Sequence, residues 1–393
     1  MQMIKAFIKW ESSAGLALML AALVALGINN FGAHTHYQMW LAHRFGPMGL
    51  FLNFSVLEWV NNGLMAIFFL LVGLEIKREL CVGELNSWSK SMMPLMAAVG
   101  GMLVPALLFY VLNHHDPIKL RGWPIPTATD IAFSLGVLSL LGKRVPLSLK
   151  VFLTALAIFD DIGAILIITF FYGHHLVGLM LSVAAGIMVL LFILNRCRVT
   201  SLWPYLLLGV LLWYVVLQSG IHATIAGIVL ALFVPVGGRH GVSQSPLSRL
   251  EHLLHPWVAF VILPIFAFSN AGVYLLNLQP RDLLHSVGLG IILGLIVGKS
   301  VGVMLGCYMG EKLGLRLPGM MNYKHLLGLS FLAGIGFTMS LFVGGLAYLM
   351  LAPEYMVQVK LGVLLGSLLA AFLGVAVLLV NSKKPNHTRH PVA

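Results

Sequence analysis

Two adjacent aspartates, Asp160 and Asp161, are the only ionisable side chains in the apolar stretch from residue 151 to residue 171. A helix of about 20 residues crosses the roughly 30 Å hydrocarbon layer, so two carboxylates about ten residues in should lie near its centre. A charge there costs roughly 2.5 to 3.5 kcal/mol, and such side chains usually face the protein interior or a water-filled cavity. Carboxylate oxygens suit hard cations and also bind protons. The pair therefore predicts a site for ion transport.

Two more charged residues lie deep in apolar runs, Asp130 in residues 123–141 and Lys299 in residues 289–309. Three acids and one base at comparable depth predict a single site. Thr129 and Asp130 are residue types that cap a helix better than they continue it. A helix that breaks and restarts here would place Asp130 against the positive end of its second half.

The run that contains Lys299 also has a glycine at every fourth position from residue 290 to residue 310. Such a stripe of small residues allows a neighbouring helix to approach closely. Tight packing alone explains the glycines, but it leaves Lys299 unexplained. A firmly packed helix would hold that ammonium group in place.

The composition assigns these segments to a membrane protein. Of the 393 residues, 59% are hydrophobic and only 9% are charged, which excludes an ordinary soluble domain. Apolar runs between polar, Pro or Gly residues predict an all-α polytopic membrane protein with about 12 transmembrane helices. The predicted spans begin near Ala14, Trp59, Met93, Pro124, Leu147, Val177, Leu202, Ile221, Leu250, Leu284, His325 and Met356. We expect residues 1–393 to form a single transmembrane domain.

Two candidate helix breaks point to an internal repeat. The first, at residues 124–130, lies in predicted span 4, and the second, at residues 334–340 (GIGFTMS), lies in span 11. Segments seven spans apart run in opposite directions, so spans 3–5 and 10–12 are predicted to form an inverted repeat. Broken helices in corresponding positions of two such halves are typical of a transporter's binding site. The repeat is inferred from layout, because we see no residue-level similarity between the halves.

Lys and Arg residues predict the orientation. With a cytoplasmic N-terminus, 18 of the 24 basic residues fall on cytoplasmic segments, five on outer segments and Lys299 inside a span. This distribution follows the positive-inside rule, so both termini are predicted to be cytoplasmic, with tails at residues 1–13 and 381–393. The net charge of +11 is then mostly this bias, and we expect no nucleic-acid binding.

Seven stretches together resemble the NhaA family of bacterial sodium/proton antiporters. They are FLLVGLEIKREL (69–80), PTATDIAFSLGVL (126–138), LTALAIFDDIGAI (153–165), SGIHATIAGI (219–228), LEHLLHPWVAFVILPIFAFSNAGV (250–273), GLIVGKSVG (294–302) and GIGFTMSLF (334–342). The resemblance covers nearly the whole chain, and the adjacent aspartates with TATD and GIGFTMS are its most specific part. It implies an electrogenic, pH-regulated antiporter of the bacterial inner membrane that exports Na+ or Li+ in exchange for H+ by alternating access.

The resemblance also implies roles for single residues. Asp160 and Asp161 match the carboxylates that bind the sodium ion and the protons, and Lys299 matches the lysine that pairs with Asp160. Thr129 and Asp130 match the broken fourth helix, where Asp130 would offset the facing positive helix ends and Lys299 the negative ones. The two adjacent aspartates should titrate as a coupled unit and not as independent acids.

A second group matches the family's cytoplasmic cluster linked to pH activation: Glu75, Arg78, Glu79, Glu251, His252 and His255. Without the resemblance, ordinary interfacial charge explains this group equally well. Residues 44–60 are predicted to form a periplasmic hairpin-like loop. The family uses a hairpin here for dimer contact, so a homodimer is expected.

Other functions fit the same carboxylates. A passive cation channel, or a proton-conducting subunit of a larger complex, would also carry acids at the midplane, although broken helices and a shared charged site favour a carrier. An intramembrane aspartyl protease would need Asp130 to complete a dyad, because adjacent aspartates point about 100° apart on a helix, and it gives Lys299 no role. We therefore expect a transporter and not an enzyme, in a lipid bilayer, with Na+, Li+ and H+ as its partners and no cofactor.

Overall fold

The computed structural model describes residues 2–173, 176–237, 245–275, 285–319 and 321–381. The α-helices of its first half are α1 (Gln2–Asn30), α2 (His34–Ala42), α3 (Val56–Trp59), α4 (Met65–Cys81), α5 (Trp88–Asn113), α6 (Pro117–Leu120), α7 (Ile131–Leu140), α8 (Leu147–Phe171) and α9 (Gly178–Arg196). The second half adds α10 (Trp203–Gln218), α11 (Ile225–Phe233), α12 (Pro246–Trp257), α13 (Leu263–Ala271), α14 (Ser286–Leu293), α15 (Lys299–Lys312), α16 (Tyr323–Ala333), α17 (Phe337–Tyr348) and α18 (Met356–Asn381). Two short strands are β1 (Arg44–Phe45) and β2 (Phe54–Ser55), and short 3-10 helices cover Met48–Leu50, Glu84–Asn86, Ile125–Thr127, Gly142–Arg144 and Pro353–Tyr355.

Eight helical stretches of the described chain are long and apolar enough to cross a membrane. They are Ser13–Asn30, Val56–Cys81, Lys90–Asn113, Leu147–Phe171, Gly178–Arg196, Pro246–Ala271, Ser286–Lys312 and Pro353–Asn381. The helices α16 and α17 form a further candidate span, bent by 45°. The chain is therefore an all-α, multi-pass membrane protein, as predicted.

Three of the predicted spans contain shorter helices than expected. Helix α7 has 10 residues, α10 has 16 and α11 has nine. The number of twelve spans therefore stays a prediction. Leu284, the predicted start of span 10, and residues 382–393 of the predicted C-terminal tail lie outside the described residues.

Most of these helices share one apolar core. It collects buried side chains from α1, α4, α5, α7 and α8 and from α13 to α18. A second cluster packs α9, α10 and α11 against α4 and α12. The charged residues predicted to form the site lie within the elements of the first core.

Both predicted helix breaks are present. Residues 128–130 are non-helical and directly precede α7, and residues 334–336 separate α16 from α17. We call these two segments the crossing. They lie against each other, since the N–H of Asp130 donates to the carbonyl oxygen of Ile335 at 2.7 Å. Non-helical backbone inside a membrane is tolerated only where protein buries it or a cavity adjoins it, and the crossing is buried.

Three of the long helices contain one wider, π-helical turn. These turns cover Val60–Leu64, Val258–Ile262 and Gly294–Gly298 in the described chain. Such a turn adds one residue and rotates all the side chains that follow it, and it is frequent at functional sites. The third turn ends directly before Lys299, so it helps to set the direction of that side chain.

The segment predicted as a hairpin-like loop, residues 44–60, contains a hairpin in which β1 pairs with β2 in antiparallel orientation. Ser55 and Glu58 then form a capping box at the start of α3. Met48 and Phe51 at the tip are 76% and 75% exposed. The hairpin thus presents apolar side chains away from the core.

Side chains from other helices hold the C-terminal end of α13. The hydroxyl of Tyr37 donates to the carbonyl oxygen of Phe268 at 2.6 Å, and Lys360 donates to that of Gly272 at 3.0 Å. Burial raises the pKa of Tyr37 to about 12, so the hydroxyl keeps its proton at neutral pH. A Cβ atom on Gly272 would lie 2.4 Å from the Tyr37 hydroxyl, which explains the glycine.

The predicted glycine stripe brings α15 into backbone contact with α5. A Cβ atom on Gly302 would lie 2.2 Å from the carbonyl oxygen of Gly100, and one on Gly306 would lie 2.1 Å from that of Met96. Glycine therefore allows a helix separation that no other residue permits here. This packing positions Lys299, which lies one turn before Gly302.

We expect Gly302→Ala to destabilise the protein by about 1 to 3 kcal/mol, because the new methyl group meets backbone that has no room to move. Thermal unfolding in detergent should show a lower Tm than wild type. The control is Gly186→Ala in α9, where a Cβ atom meets nothing within 4 Å. Alanine is the better helix former, so the control should unfold at or slightly above the wild-type Tm. Equal Tm values for the two variants would contradict the packing argument.

Candidate ion-binding site

Asp160 on α8 forms a buried ion pair with Lys299 on α15. The Nζ atom of Lys299 lies 2.7 Å from Asp160 Oδ2, and both side chains are fully buried. Taking two charges out of water costs several kcal/mol per ion, so such a pair is weak evidence for a stabilising role. Charged residues within a membrane usually mark ion pathways, and we interpret the pair in that way.

Lys299 also forms a hydrogen bond with the backbone directly before the crossing. Its Nζ atom donates to the carbonyl oxygen of Thr127 at 2.5 Å, at the end of the 3-10 helix that precedes residues 128–130. Helical carbonyl ends carry partial negative charge, which the ammonium group offsets. A Cβ atom on Gly101 would lie 2.9 Å from a methyl carbon of Val303, so this glycine lets α5 pack closely against α15 next to Lys299.

Thr129 places its hydroxyl group between Asp160 and the end of α16. Its Oγ1 atom lies 2.6 Å from Asp160 Oδ2 and 2.7 Å from the carbonyl oxygen of Ala333. A hydroxyl group has one proton to donate, so it serves one of these acceptors at a time. An ionised Asp160 is the stronger acceptor, whereas a protonated Asp160 can itself donate and release the Thr129 proton to Ala333. The bonding at the end of α16 therefore depends on whether Asp160 carries a proton.

Asp130 caps both half-helices that begin at the crossing. It is the N-cap of α7, where Oδ1 accepts from the N–H of Phe133 at 2.9 Å. Its Oδ2 accepts from the N–H of Thr338 at 3.0 Å and from the Thr338 hydroxyl at 2.5 Å, in the first turn of α17. Each helix start carries partial positive charge, so one buried carboxylate offsets two facing ends. Thr338 lies in the GIGFTMS motif, but it was not predicted as a site residue.

Asp161 faces a cavity of about 150 Å³. Its Oδ1 atom has no hydrogen-bond partner among the described residues. Asp130 and Thr338 also line this cavity, whereas Asp160 and Lys299 are not part of its described lining. A volume of this size holds several water molecules. Asp161 is therefore the member of the pair that a hydrated ion can reach.

The same cavity collects most of the residues matched to pH activation. Five of the six line it: Glu75, Arg78, Glu79, Glu251 and His255. Arg78 lies 3.0 Å from an oxygen of Glu79 and 3.0 Å from Glu251 Oε1, so the guanidinium joins α4 to α12. His252 is exposed on α12 and is not part of the described lining.

Two buried serines that the sequence analysis did not single out tie the broken helices together. Ser134, the fourth residue of α7, donates to the carbonyl oxygen of Leu332 at 3.0 Å. Ser340, the fourth residue of α17, donates to the carbonyl oxygen of Ile125 at 2.6 Å. Each bond joins a helix that restarts after a break to the helical segment before the other break. A serine four residues after the N-cap position in both motifs is the signal that could have revealed them.

The candidate cation ligands are few. In the part of the chain that the structure describes, no group of three or more His, Cys, Asp or Glu side chains is arranged to hold a metal ion. A transported ion must leave as well as enter, so its site should bind it only moderately. Asp161 on the cavity, with Asp160 next to it in the chain, suits that requirement better than a closed cage of ligands.

Comparison with known proteins gives a consistent result. The sequence model of the protein family described as Na+/H+ antiporter 1 matches residues 5–378. The chain is 53% identical over 373 residues to the Na+/H+ antiporter NhaA 2 of Pseudomonas syringae pv. syringae, covering 95% of this chain and 93% of that relative. It is 50% identical over 396 residues to the Na+/H+ antiporter NhaA of Rhodospirillum rubrum, covering 98% and 99%.

The fold is also found in a solved structure. The sodium proton antiporter MjNhaP1 from Methanocaldococcus jannaschii at pH 8 superposes with a TM-score of 0.55, covering 97% of this chain and 99% of that chain. The two sequences are 16% identical, so this likeness concerns the fold alone.

Replacing Thr129 with Val keeps the shape of the side chain but removes its hydroxyl group. We expect a loss of about 1 to 3 kcal/mol of stability, because Asp160 and the carbonyl group of Ala333 lose their shared donor. Thermal unfolding in detergent should show a lowered Tm for Thr129→Val and a Tm close to wild type for Thr129→Ser.

The matched control for this variant is Thr169→Val. The hydroxyl of Thr169 donates within its own helix, to the carbonyl oxygen of Ile165 at 2.7 Å, so its loss should matter less. A Tm shift of the same size in both valine variants would show that the bonds of Thr129 to Asp160 and Ala333 add no more stability than a bond within one helix.

Proposed function

The chain belongs to the NhaA family of sodium/proton antiporters, and we propose that Asp160 and Asp161 are the carboxylates at which it exchanges sodium ions for protons. The observation that carries this proposal is the placement of Asp161, buried on a cavity beside an Asp160–Lys299 ion pair. Membership of an antiporter family indicates a transporter and not a catalytic enzyme.

The exchange follows from competition for the same oxygens. A carboxylate in a buried site binds either a proton or a cation, and the two adjacent acids titrate as a coupled pair. Asp161 receives the ion from the cavity. Lys299 lies 2.7 Å from Asp160 Oδ2, whereas Asp160 Oδ1 has no hydrogen-bond partner among the described residues, so this second oxygen is open to a sodium ion.

The direction of transport follows from the gradients. Sodium from the cytoplasm displaces protons, the loaded site reopens to the periplasm, and protons arriving there expel the sodium ion. The broken helices are the elements around which such alternating access takes place in transporters with inverted repeats. More protons than sodium ions move in each cycle, so that transport is electrogenic and the proton gradient drives sodium out.

The cavity cluster regulates this exchange by pH. In support, Glu75, Arg78 and Glu251 line the same cavity as Asp161, so their charges act on it across a short distance in a medium of low dielectric constant. Glu79 and His255 belong to the same lining, and His252 acts from the exposed side of α12. A change of protonation in this cluster alters the field at Asp161.

The wider assignment follows the sequence analysis. We place the chain in the bacterial inner membrane as one transporter domain, with both termini cytoplasmic, on the split of its basic residues. Lithium is a second substrate, because it is also a hard cation suited to carboxylate oxygens. The protein forms a homodimer through the hairpin of residues 44–60, where exposed Met48 and Phe51 offer an apolar contact.

The first test is sodium-dependent proton movement in everted membrane vesicles from cells that lack other antiporters. Wild type should dissipate the pH gradient when sodium is added, and Asp161→Asn should abolish the response at every pH, because an amide neither releases a proton nor offers a charged ligand. The control is Asp116→Asn, since Asp116 caps α6 and asparagine caps a helix equally well.

The outcomes of this test separate the candidate functions. Exchange that persists in a normally expressed Asp161→Asn variant would remove Asp161 from the mechanism. Sodium movement without counter-movement of protons in the wild type would indicate a passive channel.

A second test addresses pH regulation. Arg78→Ala removes one positive charge from the cavity, which favours protonated over ionised carboxylates there. We expect half-maximal activity at a pH higher by roughly half a unit to one unit, with the maximal rate retained. The same vesicle assay over a pH series measures this, with Arg196→Ala as the matched control, because Arg196 is exposed at the end of α9 and is not part of the described cavity lining. An unchanged pH profile in Arg78→Ala would exclude the cluster from regulation.

A further inference from the structure

The first turn of α17 lacks a side-chain cap of its own. The N-cap position is Gly336, which has no side chain to accept a hydrogen bond. The corresponding residue of α7 is Asp130, whose carboxylate caps its own helix. The first N–H groups of any helix have no partner within the helix, and at a buried position they must find one elsewhere. The second half of the repeat therefore needs an acceptor from another element.

Ser367 on α18 supplies this acceptor. Its Oγ atom accepts from the N–H of Gly336 at 3.2 Å and from the N–H of Phe337 at 3.1 Å. The side chain is 3% exposed, so water does not replace it. A hydroxyl group caps the helix without adding a second negative charge to the first turn of α17, where Asp130 already accepts from Thr338.

Helix α18 holds Ser367 firmly in this position. A Cβ atom on the preceding residue, Gly366, would lie 2.9 Å from a methyl carbon of Leu295 and 3.4 Å from the Cα atom of Ile292. Helices α18 and α14 are thus in direct contact beside Ser367. Preorganised supports of this kind keep the residues of a site within about 0.5 Å of their working geometry.

The position of Thr338 depends on the same turn. Thr338 directly follows Phe337, and both of its donors bind Asp130 Oδ2. Thr338 and Asp130 form part of the wall of the cavity that Asp161 faces. If Phe337 loses its acceptor, the turn rearranges to find another one, and the wall beside Asp161 moves with it.

We propose that Ser367 is a positioning residue for ion exchange, which fixes the first turn of α17 and so keeps both Thr338 donors on Asp130. This inference rests on the proposed function of the carboxylate site. It makes α18 a working part of that site, although Ser367 does not line the described cavity.

The test compares Ser367→Ala, Ser367→Cys and wild type after purification and reconstitution into proteoliposomes. Sodium-driven proton movement is measured over a range of sodium concentrations and pH values, and Tm is measured in detergent. Two unsatisfied N–H groups should raise the KM for sodium about tenfold and shift the pH profile, with the maximal rate within about twofold of wild type. Cysteine fills the site of the serine hydroxyl but is a weak acceptor, so it should produce the same change if alanine prevents folding.

The matched control is Ser330→Ala. Ser330 is also fully buried, but its hydroxyl donates within α16, to the carbonyl oxygen of Leu327 at 2.8 Å. It should leave KM unchanged. An unchanged KM in a folded Ser367 variant would overturn the inference, and so would a fall in the maximal rate alone, which indicates a merely structural role.

Asp161→Asn, measured in the same proteoliposomes, separates the proposal about Ser367 from the proposal about the carboxylate site. If it is inactive while the Ser367 variants keep the wild-type KM and pH profile, only the role of Ser367 falls. If it still exchanges sodium for protons, the proposed carboxylate site falls, and the inference about Ser367 falls with it.

Discussion

Two helices break at the same place inside this protein, and the backbone groups that the breaks release must all find partners. Asp130 offsets the two positive ends, and Lys299 and Thr129 serve the carbonyl ends at Thr127 and Ala333. The residues that satisfy the carbonyl ends are also the ones that bind Asp160. Structural support and ion chemistry are therefore not separable here. Any change in the charge of Asp160 changes the bonding of the broken helices.

The geometry of α8 directs the side chains of the two adjacent aspartates toward different surroundings. Consecutive side chains point about 100° apart, so Asp160 reaches Lys299 while Asp161 reaches the cavity. Asp160 is neutralised by an ammonium group, and Asp130 is offset by two helix starts. Asp161 alone has no such local compensation among the contacts described. A cation or proton bound at Asp161 must therefore supply the compensating positive charge that the described contacts do not.

The sequence predicted those residues of this arrangement whose types are unusual in a membrane-spanning helix. Charged residues in apolar runs identified Asp160, Asp161, Asp130 and Lys299, and cap-forming and glycine-rich motifs located both breaks. The small hydroxyl residues Thr338, Ser134, Ser340 and Ser367 were missed, because a serine in an apolar helix often bonds only to its own backbone, as Ser330 does. The sequence also did not predict where every helix begins. Gly220, with a φ of +87°, directly precedes the expected start of span 8 at Ile221, and residues 221–224 are not helical, so α11 begins only at Ile225.

The charge balance of the site also explains why it should exchange ions instead of leaking them. A bare Asp161 in its ionised form leaves an uncompensated charge in a buried site, which costs several kcal/mol. Occupation by either a proton or a sodium ion removes that cost. On the proposed function, we expect the broken helices to reorient only when Asp161 is loaded, because closing the cavity around the bare carboxylate would remove its water as well. One ion must therefore replace the other before the site can change sides, and that is the condition for antiport.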